Sequence, residues 1–288
     1  MRNGTRAAGN SAALFLCAAL TFTLTACNTT SLVQSRPERA AAVAFDHDWQ
    51  SQRIDARPFV LRAYHSAYAP NQPDLAVYIE GDGVAWVTPS VRSNDPTPDT
   101  PLTLRLAVQD PTPNRLYLAR PCQYATPAEL EHCDPAYWTS HRYAPEVVKS
   151  LNAAIDQAMR ESGARQVSVF GYSGGGNLAV LIAGQRNDVT RVVTIAGNLD
   201  HGAWTRFHGD TPLYGSLDAA DVAQTISAIP QVHFVGADDD VVPAIISKSY
   251  LARSTDPSRI TIIKVPNADH ECCWVSKWPA LLRSHVYH

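Results

Sequence analysis

Gln166-Val167-Ser168-Val169-Phe170-Gly171-Tyr172-Ser173-Gly174-Gly175 is the stretch whose reading decides the fold. Residues 166–170 form a short, β-branched, largely apolar run, which reads as a strand. The segment Gly174 to Gln185 reads as a helix. Between the two, Gly171-Tyr172-Ser173-Gly174-Gly175 matches the pattern G-x-S-x-G. A turn this tight between strand and helix leaves no room for Cβ atoms beside the serine, so glycines flank it. The turn lifts the Ser173 hydroxyl above the sheet, and the helix N-terminus beneath it favours developing negative charge. A glycine-rich turn that only holds an anion is the competing reading of the same residues.

Working outward, short apolar runs alternate with helical patterns on both sides. Phe59 to Ser66, Leu75 to Ile79 and Asn114 to Ala119 read as strands, with a short helix ending near Val108. Glu146 to Ser162 places Val148, Leu151, Ile155 and Met159 on one helix face, and Gly163 suits the position just past its end. Val189 to Ala196, Gln231 to Val235 and Ile260 to Val265 read as strands. A helix opening at Pro243 and a last one near Val275 complete the series. Alternation of this kind predicts an α/β protein, a three-layer α/β/α sandwich around a mostly parallel sheet. Gly197 to Pro230 is the longest break, with room for a small helix over Leu217 to Ala228 or for a short lid.

A serine nucleophile needs a base, and the base needs an orienting carboxylate. Ten histidines are available. His270 follows the last predicted strand, and Asp239 follows the one before it. His201 and His208 are weaker candidates because no strand delivers them. The order Ser173, Asp239, His270 puts all three at C-terminal strand ends, where open α/β sheets bind ligands. A solvated acidic turn is the alternative for Asp238, Asp239 and Asp240. Calcium there lacks a second carboxylate cluster.

With these residues in place, residues 58–288 resemble the α/β-hydrolase superfamily, including its G-x-x-D-x-x-V-P pattern at Gly236 to Pro243. The resemblance implies a serine hydrolase that cleaves a small acyl substrate, a carboxylic ester first. It implies a Ser173–Asp239–His270 triad and an oxyanion hole made by the N–H groups of Asp82 and Gly174. Glu80-Gly81-Asp82-Gly83 departs from the family loop in carrying Glu80 where histidine is usual, and an acidic side chain at the donor position. A serine peptidase or amidase uses the same triad, and a non-catalytic envelope protein could keep the fold as a binding scaffold. No metal or organic cofactor is implied. Trp86, Trp138, Trp204 and Trp274 fall in loops at the same end of the sheet and are candidates for apolar cleft walls, or for rim packing. Tyr124, Tyr137 and Tyr143 lie near Trp138.

The N-terminus reads as an address rather than as fold. Arg2 and Arg6 precede an apolar run from Ala12 to Leu20, and Leu24-Thr25-Ala26-Cys27 resembles a bacterial lipobox. That likeness implies a signal peptide over residues 1–26, a lipid on Cys27, and a tether and leading segment over residues 27–57. Asn28 is not the aspartate that retains such proteins at the inner membrane, so the expected place is the outer membrane, facing the periplasm. An ordinary signal peptide or an uncleaved anchor are the alternatives. The net charge of −3 excludes the basic surface that nucleic acid requires. Hydrophobic residues at 45% and charged residues at 18% suit a globular domain.

Removal of the signal, with Cys27 acylated, leaves Cys122, Cys133, Cys272 and Cys273 in an oxidising compartment. The family strand order implies about 24 Å between the strands preceding Cys122 and Cys272, at ~4.8 Å per strand. A bridge needs Cα atoms within roughly 7 Å. Cys122–Cys133 is therefore the expected disulfide, with Cys272 and Cys273 joined to each other or free.

Overall fold

The computed structural model describes residues 34–131 and 133–287, together with residues 1, 3 and 4. The signal peptide and Cys27 lie outside the described residues. In chain order the helices are α1 (Arg36–Phe45), α2 (Leu102–Ala107), α3 (Pro127–Leu130), α4 (Pro145–Ser162), α5 (Gly174–Ala183), α6 (His201–His208), α7 (Ala244–Leu251) and α8 (Trp274–His285). The strands are β1 (Gln50–Ala56), β2 (Phe59–His65), β3 (Asp74–Ile79), β4 (Trp86–Thr88), β5 (Val91–Arg92), β6 (Asn114–Leu118), β7 (Gln166–Tyr172), β8 (Val189–Ile195), β9 (Gln231–Gly236) and β10 (Ile260–Val265).

Eight strands form one sheet in the order β1-β2-β6-β3-β7-β8-β9-β10, and β4 and β5 make a separate hairpin. The pairs β1/β2 and β2/β6 are antiparallel; every other pair in the large sheet is parallel. Successive side chains of a strand serve opposite faces. Accordingly Leu75, Val77 and Ile79 of β3 join the core beneath α4 and α5. Ala76 and Tyr78 join a second core with α1, α2 and α8. Two cores on the two faces of one sheet make the three layers expected.

The α8 side carries the largest buried rings. Tyr78 stacks on Phe170 at 4.3 Å between centroids, and Trp278 meets Tyr78, Phe170 and Phe234 edge-on. Such edge-to-face contacts add about 0.5–1.5 kcal/mol each beyond area burial. They fix α8 against the middle of the sheet, and with it the loop that follows β10.

The local signal at the α4 end acts as expected: Gly163 takes a left-handed conformation with φ 72°. The expectation for residues 217–228 needs correction. There is only one 3₁₀ turn, at Ala219–Val222. The helix of this break is α6, which opens where the Asp200 carboxylate accepts the Ala203 N–H at 2.7 Å. It is short and carries His201, Arg206 and His208, so no apolar stripe announces it. Pro243 sits one position earlier than expected, as the residue before α7. The compact unit spans Gln34–His288, so α1 and β1 occupy part of the stretch expected to be a leading segment.

Cys122 and Cys133 are joined, with Cα atoms 5.9 Å apart, as the strand order implied. Cys272 and Cys273 are joined to each other, the first of the two states left open.

Candidate active site

The turn between β7 and α5 is built from its glycines. A methyl group on Gly171 would overlap the carbonyl of Gly175, so the strand cannot enter the helix this closely with any larger residue. Ser173 itself takes φ 51° and ψ −120°. A non-glycine residue there stores strain on the order of 1–3 kcal/mol, which the surrounding structure must hold. The holding bonds are visible: Ser173 N–H donates to the Ile195 carbonyl at 2.9 Å, and the Ser173 carbonyl accepts from Asn198 N–H at 3.0 Å.

The three residues named from the sequence come together. The Ser173 Oγ lies 3.0 Å from His270 Nε2. His270 Nδ1 lies 3.0 Å from Asp239 Oδ2. The other oxygen of Asp239 accepts the N–H groups of Val241 at 3.0 Å and Val242 at 2.8 Å. Those two bonds fix the plane of the carboxylate, and its second oxygen fixes the imidazole. Asp238 and Asp240 are exposed, whereas Asp239 is buried. His201 and His208 are elsewhere: His201 faces Asp218 at 3.7 Å, and His208 bonds the Val241 carbonyl.

The four residues Glu80 to Gly83 line a cleft of about 1070 Å³, together with Ser173 and His270. Among the described residues, neither the Asp82 N–H nor the Gly174 N–H has a hydrogen-bond partner. The Asp82 carboxylate packs against Gly174, where an added methyl group would overlap it. The acidic side chains of the loop are engaged on the protein side. Glu80 is buried and accepts from Thr103 Oγ1 at 2.5 Å, Tyr117 Oη at 2.9 Å and Gly81 N–H at 2.9 Å. Burial nonetheless raises its carboxyl above the usual range. Asp82 faces Arg120 and Arg142, each at 2.7 Å. Burial opposes its charge, but Arg142 and then Arg120 outweigh that and hold the carboxyl at about 2.

Of the candidate aromatic walls, Trp86 and Trp204 line the cleft, with Val84, Leu102, Val241 and Val275. Trp138 is buried and donates to the Ser93 carbonyl, and Trp274 is fully buried. Tyr124, Tyr137 and Tyr143 pack inside the domain; Tyr143 reaches the Asp82 carboxylate. The joined pair Cys272 and Cys273 also lines the cleft, just past His270.

Sequence reasoning missed two supports. Arg120 and Arg142 gave no local signal, because each reaches the site from a different loop. Trp274 donates its indole N–H to the carbonyls of Asp269 and His270, both at 3.0 Å. Its place four residues after His270 was visible, but not its direction.

No family model matches the chain, and no curated protein matches it in sequence. Solved structures do match in shape. Est1E from Butyrivibrio proteoclasticus, with ferulic acid bound, gives a TM-score of 0.60 at 12% identity, covering 81% of this chain and 96% of that one. An alpha-beta serine hydrolase homologue from Coxiella burnetii gives 0.54 at 14% identity, covering 81% and 94%. Acylaminoacyl peptidase from Pyrococcus horikoshii gives 0.59 at 11% identity, covering 80% of this chain and 38% of that one. The strand order, the serine turn between β7 and α5, and these likenesses establish that the chain has the α/β-hydrolase fold.

Proposed function

We propose that this protein is a serine hydrolase that cleaves a carboxylic ester through an acyl-enzyme on Ser173. The observation that carries the reading is the chain Ser173 Oγ, His270, Asp239, with both links at 3.0 Å and with Ser173 and His270 lining an open cleft. His270 Nε2 takes the hydroxyl proton as Ser173 attacks the acyl carbonyl. Asp239 accepts from Nδ1–H, which selects the tautomer and stabilises the imidazolium that forms. The free N–H groups of Asp82 and Gly174 receive the oxygen that becomes negative, each worth up to roughly 3 kcal/mol. The protonated imidazole then hands its proton to the leaving alcohol. Water, activated by the same nitrogen, releases the acid and restores Ser173.

Trp86, Trp204 and the aliphatic residues between them give the cleft apolar walls, which favours a moderate acyl or aromatic acyl group. The shape likeness to an esterase that binds ferulic acid supports the same class. The lipobox at Leu24 to Cys27 supports a lipid-anchored protein of the bacterial cell envelope, cut before Cys27 and held at the outer membrane, with the compact unit Gln34–His288 as the hydrolase domain.

Labelling of the mature protein with a fluorophosphonate, beside the variant Ser173→Ala, tests the reading directly. Label on the wild type and none on the variant is the expected result. Turnover of a panel of short, long and aromatic acyl esters and aminoacyl amides then assigns the substrate class. Absence of label on Ser173 in folded protein would refute the proposal.

A further inference from the structure

In a serine hydrolase, the Asp82 side chain poses a physical problem. A carboxylate on the residue that donates to an oxyanion repels the charge it should help stabilise. The structure surrounds that carboxylate with cations from two separate loops. Arg120 Nη1 donates to Asp82 Oδ1 and Arg142 Nη1 to Oδ2, both at 2.7 Å. The Tyr143 hydroxyl lies 3.3 Å from Oδ2.

Both arginines are themselves held. Arg120 Nη2 donates to the Arg142 carbonyl, and its guanidinium lies 5.3 Å from the Tyr143 ring centre. Arg142 Nε donates to the Thr139 carbonyl at 2.7 Å. Gln123 ties the arrangement to the loop: its Oε1 accepts the Arg120 N–H at 3.0 Å, and its Nε2 donates to the Gly81 carbonyl at 2.9 Å. The side chains of Arg120 and Arg142 are only 4% and 9% exposed, so water screens them little. Two guanidinium groups on one carboxylate leave one positive charge in excess within this cluster, and Arg142 lines the cleft. An excess buried cation is costly unless an anion arrives.

Building on the serine-hydrolase reading, we propose that Arg120 and Arg142 are positioning residues of the oxyanion site. They hold the Asp82 carboxylate aside so that its N–H serves the cleft, and their surplus charge stabilises the oxyanion. A structural ion pair would serve folding alone and would treat bound substrate and transition state alike. The proposed role acts on the transition state, so it moves kcat and leaves KM nearly still.

The experiment uses the mature wild type and the variants Arg120→Met, Arg142→Met, Arg120→Lys and Arg142→Lys, with thermal melts to confirm folding. kcat and KM are measured with an activated short-chain ester. Inhibition by an alkylboronic acid is measured in parallel: Ser173 Oγ adds to boron, its proton passes to His270, and the boron becomes a tetrahedral anion. Loss of a single oxyanion donor costs roughly 10²–10³ in kcat. The methionine variants should fall by about 30- to 300-fold in kcat, with KM within about threefold and boronate affinity lowered in step. The lysine variants keep the charge but lose the planar fork, so they should recover part of the loss. If a methionine variant does not fold, its lysine counterpart decides by the same parallel between kcat and boronate affinity. Folded variants that retain wild-type kcat, or whose kcat falls while boronate affinity stays, overturn the proposal. A wild type that takes no fluorophosphonate label and turns over no ester overturns the hydrolase reading itself, a separate outcome.

Discussion

The backbone carbonyl of His270 accepts the Tyr172 hydroxyl at 3.1 Å and the Trp274 indole N–H at 3.0 Å. One donor immediately precedes Ser173 and the other opens α8. The loop that carries His270 is therefore tied both to the serine turn and to the aromatic core under α8. Orientation of this kind matters because misplacement of a reacting group by about 1 Å can cost on the order of 10²-fold.

Tyr172→Phe isolates one of these ties. The ring contact with His270, 5.3 Å between centroids, survives and the hydrogen bond does not. One hydrogen bond is worth about 1 kcal/mol net, or roughly fivefold. We expect kcat on an activated ester to fall by about three- to tenfold with KM unchanged. A variant that turns over at the wild-type rate would show that Trp274 alone suffices.

The three adjacent carboxylates make a sharper test. Asp239 is buried and bonded to His270, while Asp238 and Asp240 are exposed. Asp239→Asn should lower turnover by about 10⁴, the loss typical of disturbing the base's tautomer. Asp238→Asn and Asp240→Asn should each cost less than about tenfold. Steady-state kinetics on the three folded variants decides it, and a dead Asp238 or Asp240 variant would move the carboxylate role.

The serine turn, the order Ser173, Asp239, His270 and the parallel sheet were legible because each is written locally. Glycines mark the turn, β-branched runs mark the strands, and the pattern from Gly236 to Pro243 marks Asp239. What surrounds the site was not legible. Arg120 and Arg142 meet Asp82 from loops far apart in sequence, and no local pattern encodes that meeting. Helix α6 escaped because a short polar helix has no apolar period to detect. Trp138 and Trp274 were expected in loops at the cleft, but they sit at the end of a 3₁₀ turn and the start of α8 and turn inward, since a sequence position does not say which way a ring points.

Gly174→Ala tests the neighbourhood of the two free N–H groups. The added methyl would overlap the Asp82 carboxylate and stand 2.7 Å from the Tyr143 hydroxyl. Asp82 is held by its two arginines, so the strain falls on both donors at once. We expect kcat/KM to drop at least about 100-fold, comparable to losing one donor. Fluorophosphonate labelling of the folded variant should slow in step. Undiminished turnover would remove Asp82 and Gly174 from the proposed oxyanion site.

The lipid anchor proposed from Leu24 to Cys27 has its own test. Wild-type protein made in bacteria should incorporate radiolabelled palmitate and fractionate with membranes. Cys27→Ser should incorporate none and appear uncleaved or soluble. A wild type without label would end the lipoprotein reading, and would leave the hydrolase reading untouched.

His233 predicts how stability depends on pH. It lies fully buried on β9, with Nδ1 2.8 Å from Thr194 Oγ1 and Nε2 3.2 Å from Gln231 Oε1. Burial lowers its pKa to about 3 from an ordinary 6.5. The native protein therefore refuses a proton that the unfolded chain accepts below pH 6.5. Stability from this group is complete above 6.5 and is lost as pH falls from 6.5 toward 3. One proton of difference gives a slope of up to about 1.4 kcal/mol per pH unit. Between pH 7 and 5 the loss is on the order of 2 kcal/mol. His233→Gln has no such titration, whatever its effect on stability at pH 7. Its Tm should fall less than that of the wild type over the same interval. Carboxylates that titrate below pH 5 act equally on both proteins and do not disturb the comparison. Parallel Tm profiles for the two proteins would show that the imidazole is accommodated in its charged form.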